Sequence, residues 1–252
     1  MSGLDTPMTA PIDLVVRDLG EITYAEACVL QRDLQRRVIE SRGAPGGERR
    51  MYLLLLEHVP PVITISRRRV APRHLLAGGD QLAAAGVEVA RTDRGGDITY
   101  HGPGQLVVYP ILDLNTLGLR LHGYMRFLEQ IAIDTVGSFR IPARRDPTGT
   151  GVWVTGKDGA TERRREGGKI CAMGVRISRW VSMHGLALNV TTDLDHFDLI
   201  VPCGLSGVSV TSMERELGDA CPAMQDVKDR MSELFKIAVA RLTADSAVSS
   251  AP

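Results

Sequence analysis

Arg94-Gly95-Gly96-Asp97-Ile98-Thr99-Tyr100-His101-Gly102-Pro103-Gly104-Gln105 is the stretch on which the reading of this chain turns. Its glycines let backbone approach a ligand closely, and an arginine, a histidine and two hydroxyl side chains fall within the same short span. On either side, residues 87–92 and 105–112 are short and apolar and read as strands. The glycine-rich stretch is therefore placed as a loop or irregular strand inside a sheet.

Working outward, residues 51–57 and 62–66 read as strands, bounded by Gly46-Gly47 and Pro60-Pro61. Residues 152–155, 170–177 and 182–190 read the same way. Ala27, Leu30, Leu34 and Val38 recur at helical spacing and predict an amphipathic helix over residues 23–41. A second helix is expected over 124–139, with Phe127, Leu128, Ile131, Thr135 and Val136 on one side. A third runs over 222–242, with Pro222 in its first turn and Met231, Leu234, Phe235, Ile237 and Val239 as apolar surface. Strands clustered between a leading and a trailing helix, without regular βαβ alternation, predict an α+β fold: a mixed β-sheet with flanking helices. At 252 residues one core suffices, so 12–242 is read as a single catalytic domain with loose ends at 1–11 and 243–252.

Lys plus Arg equals Asp plus Glu at 30 each, which gives no global argument for nucleic acid or an anionic membrane, and neither is expected as a partner. Residues 1–11 carry only Asp5 as a charged side chain and lack an apolar h-region, which argues against a targeting peptide. The apolar runs 51–56 and 106–112 are too short to span a bilayer. Cys28, Cys171, Cys203 and Cys221 form no CxxC, so neither a metal site nor a redox pair is expected, and a reducing cytoplasm is the predicted location.

Cys203 stands in Val201-Pro202-Cys203-Gly204, between a proline and a glycine. A free thiol has a pKa of roughly 8.5, so a nucleophilic cysteine needs a neighbouring cation, a histidine base or a helix N-terminus. Three basic residues qualify by context: His101, His184, and Lys169 in Gly167-Gly168-Lys169-Ile170-Cys171-Ala172-Met173-Gly174. Residue chemistry alone leaves the choice open. Cys28, Cys171 and Cys221 are read as packing residues.

The 94–109 stretch, the Gly-Gly-Lys-Ile-Cys-Ala-Met-Gly stretch, His184-Gly185-Leu186-Ala187-Leu188-Asn189 and Ile200-Val201-Pro202-Cys203-Gly204 together resemble the lipoyl(octanoyl) transferase family, in that family's order. The resemblance implies a fold shared with biotin protein ligases and lipoate ligases. It implies an octanoyltransferase that takes its acyl group from octanoyl-acyl carrier protein, holds it as a thioester on Cys203 and passes it to a lysine of a lipoyl domain. The acceptors implied are 2-oxoacid dehydrogenase E2 subunits and the glycine cleavage H protein.

By the same resemblance, Cys203 is the nucleophile and Lys169 the residue that lowers its pKa. Arg94, Gly95, Gly96, Asp97, Ile98, Thr99, Tyr100 and His101, with Ala172, Met173, Gly174, Gly185, Leu186 and Ala187, line the acyl substrate. No cofactor is expected, because a thioester donor and an amide product make transfer downhill, and the chain has no GxxxxGK[ST] sequence. The rival readings are an ATP-dependent ligase of the same fold and a non-catalytic carrier-binding module. The basic runs Arg67-Arg68-Arg69 and Arg163-Arg164-Arg165 are solvated faces or guides for an acidic carrier protein.

Overall fold

A computed structural model describes residues 12–43, 49–147, 149–155, 167–201 and 209–249. The chain begins with β1 (Asp13–Ile22), α1 (Tyr24–Glu40) and β2 (Arg50–His58), and β1 pairs with β2 in parallel, which makes α1 a crossover helix. Thr23 starts that helix with a capping box: the Glu26 amide donates to Thr23 Oγ1 at 3.2 Å, and the Thr23 amide donates back to Glu26 Oε2 at 3.3 Å. Ala27, Leu34 and Val38 face the sheet, as their spacing requires.

Next come β3 (Val62–Ile65), α2 (Gly79–Ala84), β4 (Glu88–Arg91) and β5 (Ile98–His101), the strands forming a small sheet in the order β4-β3-β5. β3 runs parallel to β4 and antiparallel to β5. Part of the glycine-rich stretch is thus a regular strand. Its flanking glycines hide a register that only pairing with β3 supplies.

The larger sheet is completed by β6 (Gln105–Ile111), β7 (Ala143–Asp146), β8 (Gly149–Val154), β9 (Lys169–Ser178) and β10 (Val181–Asn189), in the order β1-β2-β6-β10-β9-β8-β7. Every pair in it except β1–β2 is antiparallel. One face is covered by α1. The other packs on α3 (Leu121–Ser138) and α5 (Met224–Ser249), which follows the short α4 (Met213–Leu217). Coverage on both faces explains why β2 reads as a continuous apolar run: Leu53 and Leu55 enter the α3/α5 core, and Leu54 and Leu56 the α1 core. Fully burying each of these leucines contributes roughly 1.5–3 kcal/mol.

These mixed sheets with flanking helices are the α+β fold expected. Three differences stand out. β1 and β7 were not foreseen, and α5 continues to Ser249, because Thr243-Ala244-Asp245-Ser246-Ala247 contains no helix breaker. Among the described residues no helix is long and apolar enough to cross a membrane, and no group of His, Cys, Asp and Glu is arranged to hold a metal ion.

Candidate active site

A cavity of about 450 Å³ lies where β9 and β10 of the large sheet meet the 94–101 segment. Two facing pairs of small residues share one face of the sheet there: Ala172 opposite Ala187, and Gly174 opposite Gly185. With almost no side chain at these positions the sheet surface is left open. A Cβ on Gly174 would lie 2.6 Å from the Gly95 carbonyl oxygen, so glycine at 174 is what lets the loop rest on the strand. The Gly95 amide then donates to Val175 O at 2.8 Å.

The expected lining residues Arg94, Gly95, Gly96, Asp97, Ile98, Thr99, His101, Ala172, Met173, Gly174, Gly185, Leu186 and Ala187 all border this cavity. Tyr100 does not. It shares with Ile98 the face of β5 that enters the small-sheet core, where its ring stacks on His196 at 5.0 Å and meets Phe197 edge-on at 5.4 Å. Burial pushes its hydroxyl up to about 12. The pleat of a regular strand separates Tyr100 from Thr99 and His101.

Arg94 braces the loop. Its Nη2 donates to Thr64 O at 3.0 Å and Thr64 Oγ1 at 2.9 Å, and its Nη1 to Gly95 O at 3.0 Å. Asp97 is held by His74, at 2.7 Å, and Ser66 Oγ donates to Gly96 O at 2.9 Å.

Lys169 also borders the cavity, yet it is only 5% exposed. Its Nζ donates to Thr150 O at 3.0 Å and lies 4.9 Å from the centre of the Trp153 ring. Gly151, at φ +136°, makes room for the lysine stem: a Cβ there would sit 2.6 Å from Lys169 Cε. The lysine backbone is fixed as firmly. Its N–H donates to Ser209 O at 2.8 Å, and its carbonyl accepts from the Thr211 N–H at 3.1 Å. Gly168 allows this, since a Cβ would lie 2.8 Å from Val210 C and the Thr211 amide nitrogen.

His101 and His184 border the cavity, and the buried His58 has its ring centre 5.7 Å from that of His101; burial is the largest cause of a lowered pKa in each. His58 is brought down to about 4, His101 lies well below the ordinary value, and His184 is lowered while its Asp93 partner resists. His58 is therefore neutral at pH 7. His58 Nδ1 faces Ile22 O at 3.1 Å, so that nitrogen carries the proton and Nε2 accepts from the Tyr109 hydroxyl at 2.8 Å. Gln105 Nε2 donates to Asn189 Oδ1 at 2.9 Å, leaving Oε1 to accept from His101 Nδ1 at 2.7 Å. Asn189 Nδ2 in turn donates to Thr211 O at 2.9 Å, so His101 is joined by hydrogen bonds to the segment beside Lys169. His101 thus combines a cavity position with a bracing bond.

His184 has φ +60°, a left-handed conformation uncommon outside glycine. Its N–H donates to the buried Gln31 Oε1 at 2.8 Å, and its Nε2 meets Asp93 Oδ1 at 2.9 Å.

Residues 23–236 match the family described as the lipoyl protein ligase A/B catalytic domain. The chain belongs to this family. Within it, the octanoyltransferase of Geotalea uraniireducens is 44% identical over 221 residues, covering 87% of this chain and 90% of the relative. Among solved structures, the bi-partite lipoate protein ligase of Thermoplasma acidophilum superposes with a TM-score of 0.64 at 16% identity, covering 91% of this chain and 84% of that one. The biotin protein ligase of Aquifex aeolicus gives 0.50 at 12% identity, covering 91% and 72%. These two likenesses show the shared fold.

For a member of this family, the cavity gathers lining residues that local sequence did not mark. Tyr24, Tyr109, Leu121, Met125 and Thr150 come from four separate elements, and only tertiary pairing assembles them. Cys171, two positions from Lys169, points into the α3/α5 core, and burial pushes its thiol up to about 12. Cys203, Gly204 and Arg163 to Arg165 lie outside the described residues.

Proposed function

We propose that this octanoyltransferase takes its acyl group from octanoyl-acyl carrier protein onto Cys203 and hands it to a lysine of a lipoyl domain, with Lys169 as the partner of the cysteine. In the first step the Cys203 thiolate attacks the thioester carbonyl, a new C–S bond forms, and the carrier thiolate leaves and takes up a proton. In the second, the acceptor amine attacks the Cys203 thioester. The C–S bond breaks, an amide forms, the amine loses a proton and the thiol is regenerated. No nucleotide enters either step. E2 lipoyl domains and the H protein are the acceptors in this reading.

The observation that carries the proposal is the setting of Lys169. Lys169 borders a cavity floored by alanine and glycine, while its main chain is hydrogen-bonded to Ser209 and Thr211. Ser209 begins the described chain just after the segment that contains Cys203. On the other side of that segment, the Val201 N–H donates to His74 O at 2.7 Å. Both flanks of the Cys203 segment are thus tied to the cavity's surroundings. A nearby ammonium in a partly desolvated site stabilises a thiolate, and each pKa unit so gained corresponds to about 1.4 kcal/mol.

Incubation with octanoyl-acyl carrier protein, without ATP, is expected to leave an octanoyl adduct on Cys203, read by peptide mass spectrometry. A fully active Cys203→Ala variant would refute the mechanism, and an absolute need for ATP would favour the ligase alternative. Lys169→Arg keeps a charge without a usable base, so unchanged turnover would assign Lys169 a purely electrostatic role.

A further inference from the structure

The connection from β3 to α2 carries Arg67, Arg68, Arg69 and Arg73, all exposed. Val70 and Leu76, on the same connection, are 48% and 60% exposed. Among the described residues none of these four guanidinium groups enters an ion pair. The chain as a whole is balanced at 30 acidic and 30 basic residues, so this concentration of positive charge is local.

Its position is tied to the site at three points. Arg68 borders the cavity, and its amide donates to Ser66 Oγ at 3.3 Å, which itself donates to Gly96 O in the cavity wall. His74 holds Asp97 of the same wall. The amides of Leu76 and Ala77 donate to Leu199 O at 2.9 and 3.1 Å, just before the segment that contains Cys203. A protein bound on these arginines therefore sits beside the loop that an acyl chain must pass.

We propose that this surface docks the acidic face of the protein that delivers the octanoyl thioester. The proposal rests on the carrier-to-cysteine reading above. Cations at the rim that no described residue neutralises steer an acidic partner and fix its register. Val70 and Leu76 supply apolar area for the centre of the contact. The donor is favoured over the acceptor because the arginine connection is bonded to the acyl wall itself, at Gly96 and Asp97, and only the donor has to insert its alkyl chain there.

The test compares two octanoyl donors on the triple variant Arg67→Ala, Arg69→Ala, Arg73→Ala: octanoyl-acyl carrier protein, and octanoyl-N-acetylcysteamine, a small thioester with no protein face. With the protein donor, kcat/KM for acylation of Cys203 is expected to fall at least about tenfold and to lose the salt dependence of the unsubstituted enzyme. With the small thioester it should stay within about twofold, which also reports that the variant is folded. Replacing the same three residues by lysine should keep most of the protein-donor rate.

Unchanged kcat/KM with the protein donor, equal loss with both donors, or a defect confined to the KM of the lipoyl-domain acceptor would each overturn the docking assignment. A protein-donor rate independent of salt in the unsubstituted enzyme would overturn it without any variant. Failure of the unsubstituted enzyme to form any Cys203 adduct with either donor would instead refute the underlying transfer mechanism.

Discussion

Replacing Gly174 by alanine adds one methyl group where the 94–97 loop touches the sheet. That carbon would stand 2.6 Å from Gly95 O and 3.0 Å from Arg94 Cδ. Restoring an ordinary contact of 3.4–4 Å requires the carbonyl to retreat by about 0.8–1.4 Å. The loop has little freedom to do so: the Gly95 amide is bonded to Val175 O at 2.8 Å, and Arg94 is clamped on Thr64. Overpacking of this kind costs about 1–3 kcal/mol, and weakening the Gly95 bond adds up to about 1 kcal/mol. The sum, about 1–4 kcal/mol, corresponds to a loss of roughly 2–16 °C in Tm for a domain of this size.

The same shift displaces the cavity wall. Misplacement by a substantial fraction of an ångström is expected to lower kcat/KM for an octanoyl thioester about tenfold or more. Gly79→Ala is the control, since a Cβ there meets nothing within 4 Å. Thermal unfolding and acylation kinetics are measured on both variants. If Gly174→Ala matches Gly79→Ala in both, the loop does not depend on that glycine and the account of the wall is wrong.

Cys171 is expected to resist iodoacetamide at pH 8 in the folded protein, because its thiol is pushed up to about 12; peptide mapping that found it alkylated as fast as a free thiol would contradict the burial argument. Stability should fall as pH drops below about 6.5, because the unfolded chain takes up protons that buried His58 refuses until about pH 4. His58 alone accounts for about 3 kcal/mol of loss by pH 4, so His58→Gln should show a shallower decline in Tm between pH 6.5 and 4, and parallel curves would count against it. Gly137 lies within α3 with open space around it, so Gly137→Ala should stabilise by a few tenths to about 1 kcal/mol in chemical denaturation.

The three long helices were legible in sequence because their apolar spacing survives without neighbours: Ala27, Leu34 and Val38 face the sheet as read. The buried strands β2, β3, β6 and β10 announced themselves as apolar runs. β1 did not, since an edge strand with mostly exposed or half-buried residues shows neither a run nor a clean alternation. β5 was obscured by its glycine neighbours, and with its pleat unassigned Tyr100 could not be separated from His101. At the site, the expected residues other than Tyr100 and Cys203 border one cavity, while Tyr24, Leu121 and Met125 reach it from helices outside the motifs. Thr150, Gly151 and Trp153, which together house the lysine side chain, carry no local signature of that task. Their role follows from β8 lying beside β9, a long-range fact that spacing does not encode.

Under the transfer mechanism proposed above, with the acyl chain in this cavity, the four small residues on its floor make chain-length preference a one-way dial. Ala172, Gly174, Gly185 and Ala187 are already at or near the minimum of side-chain size, so substitution of either alanine by a larger residue removes room and shortens the acyl group that fits. One methylene in an apolar pocket is worth about 1–3 kcal/mol, enough for a single step along this dial to change which fatty chain is favoured. A variant that accepts longer chains must be sought among the bulky liners instead: Leu121 and Met125 on α3, and Met173 and Leu186 beside the floor.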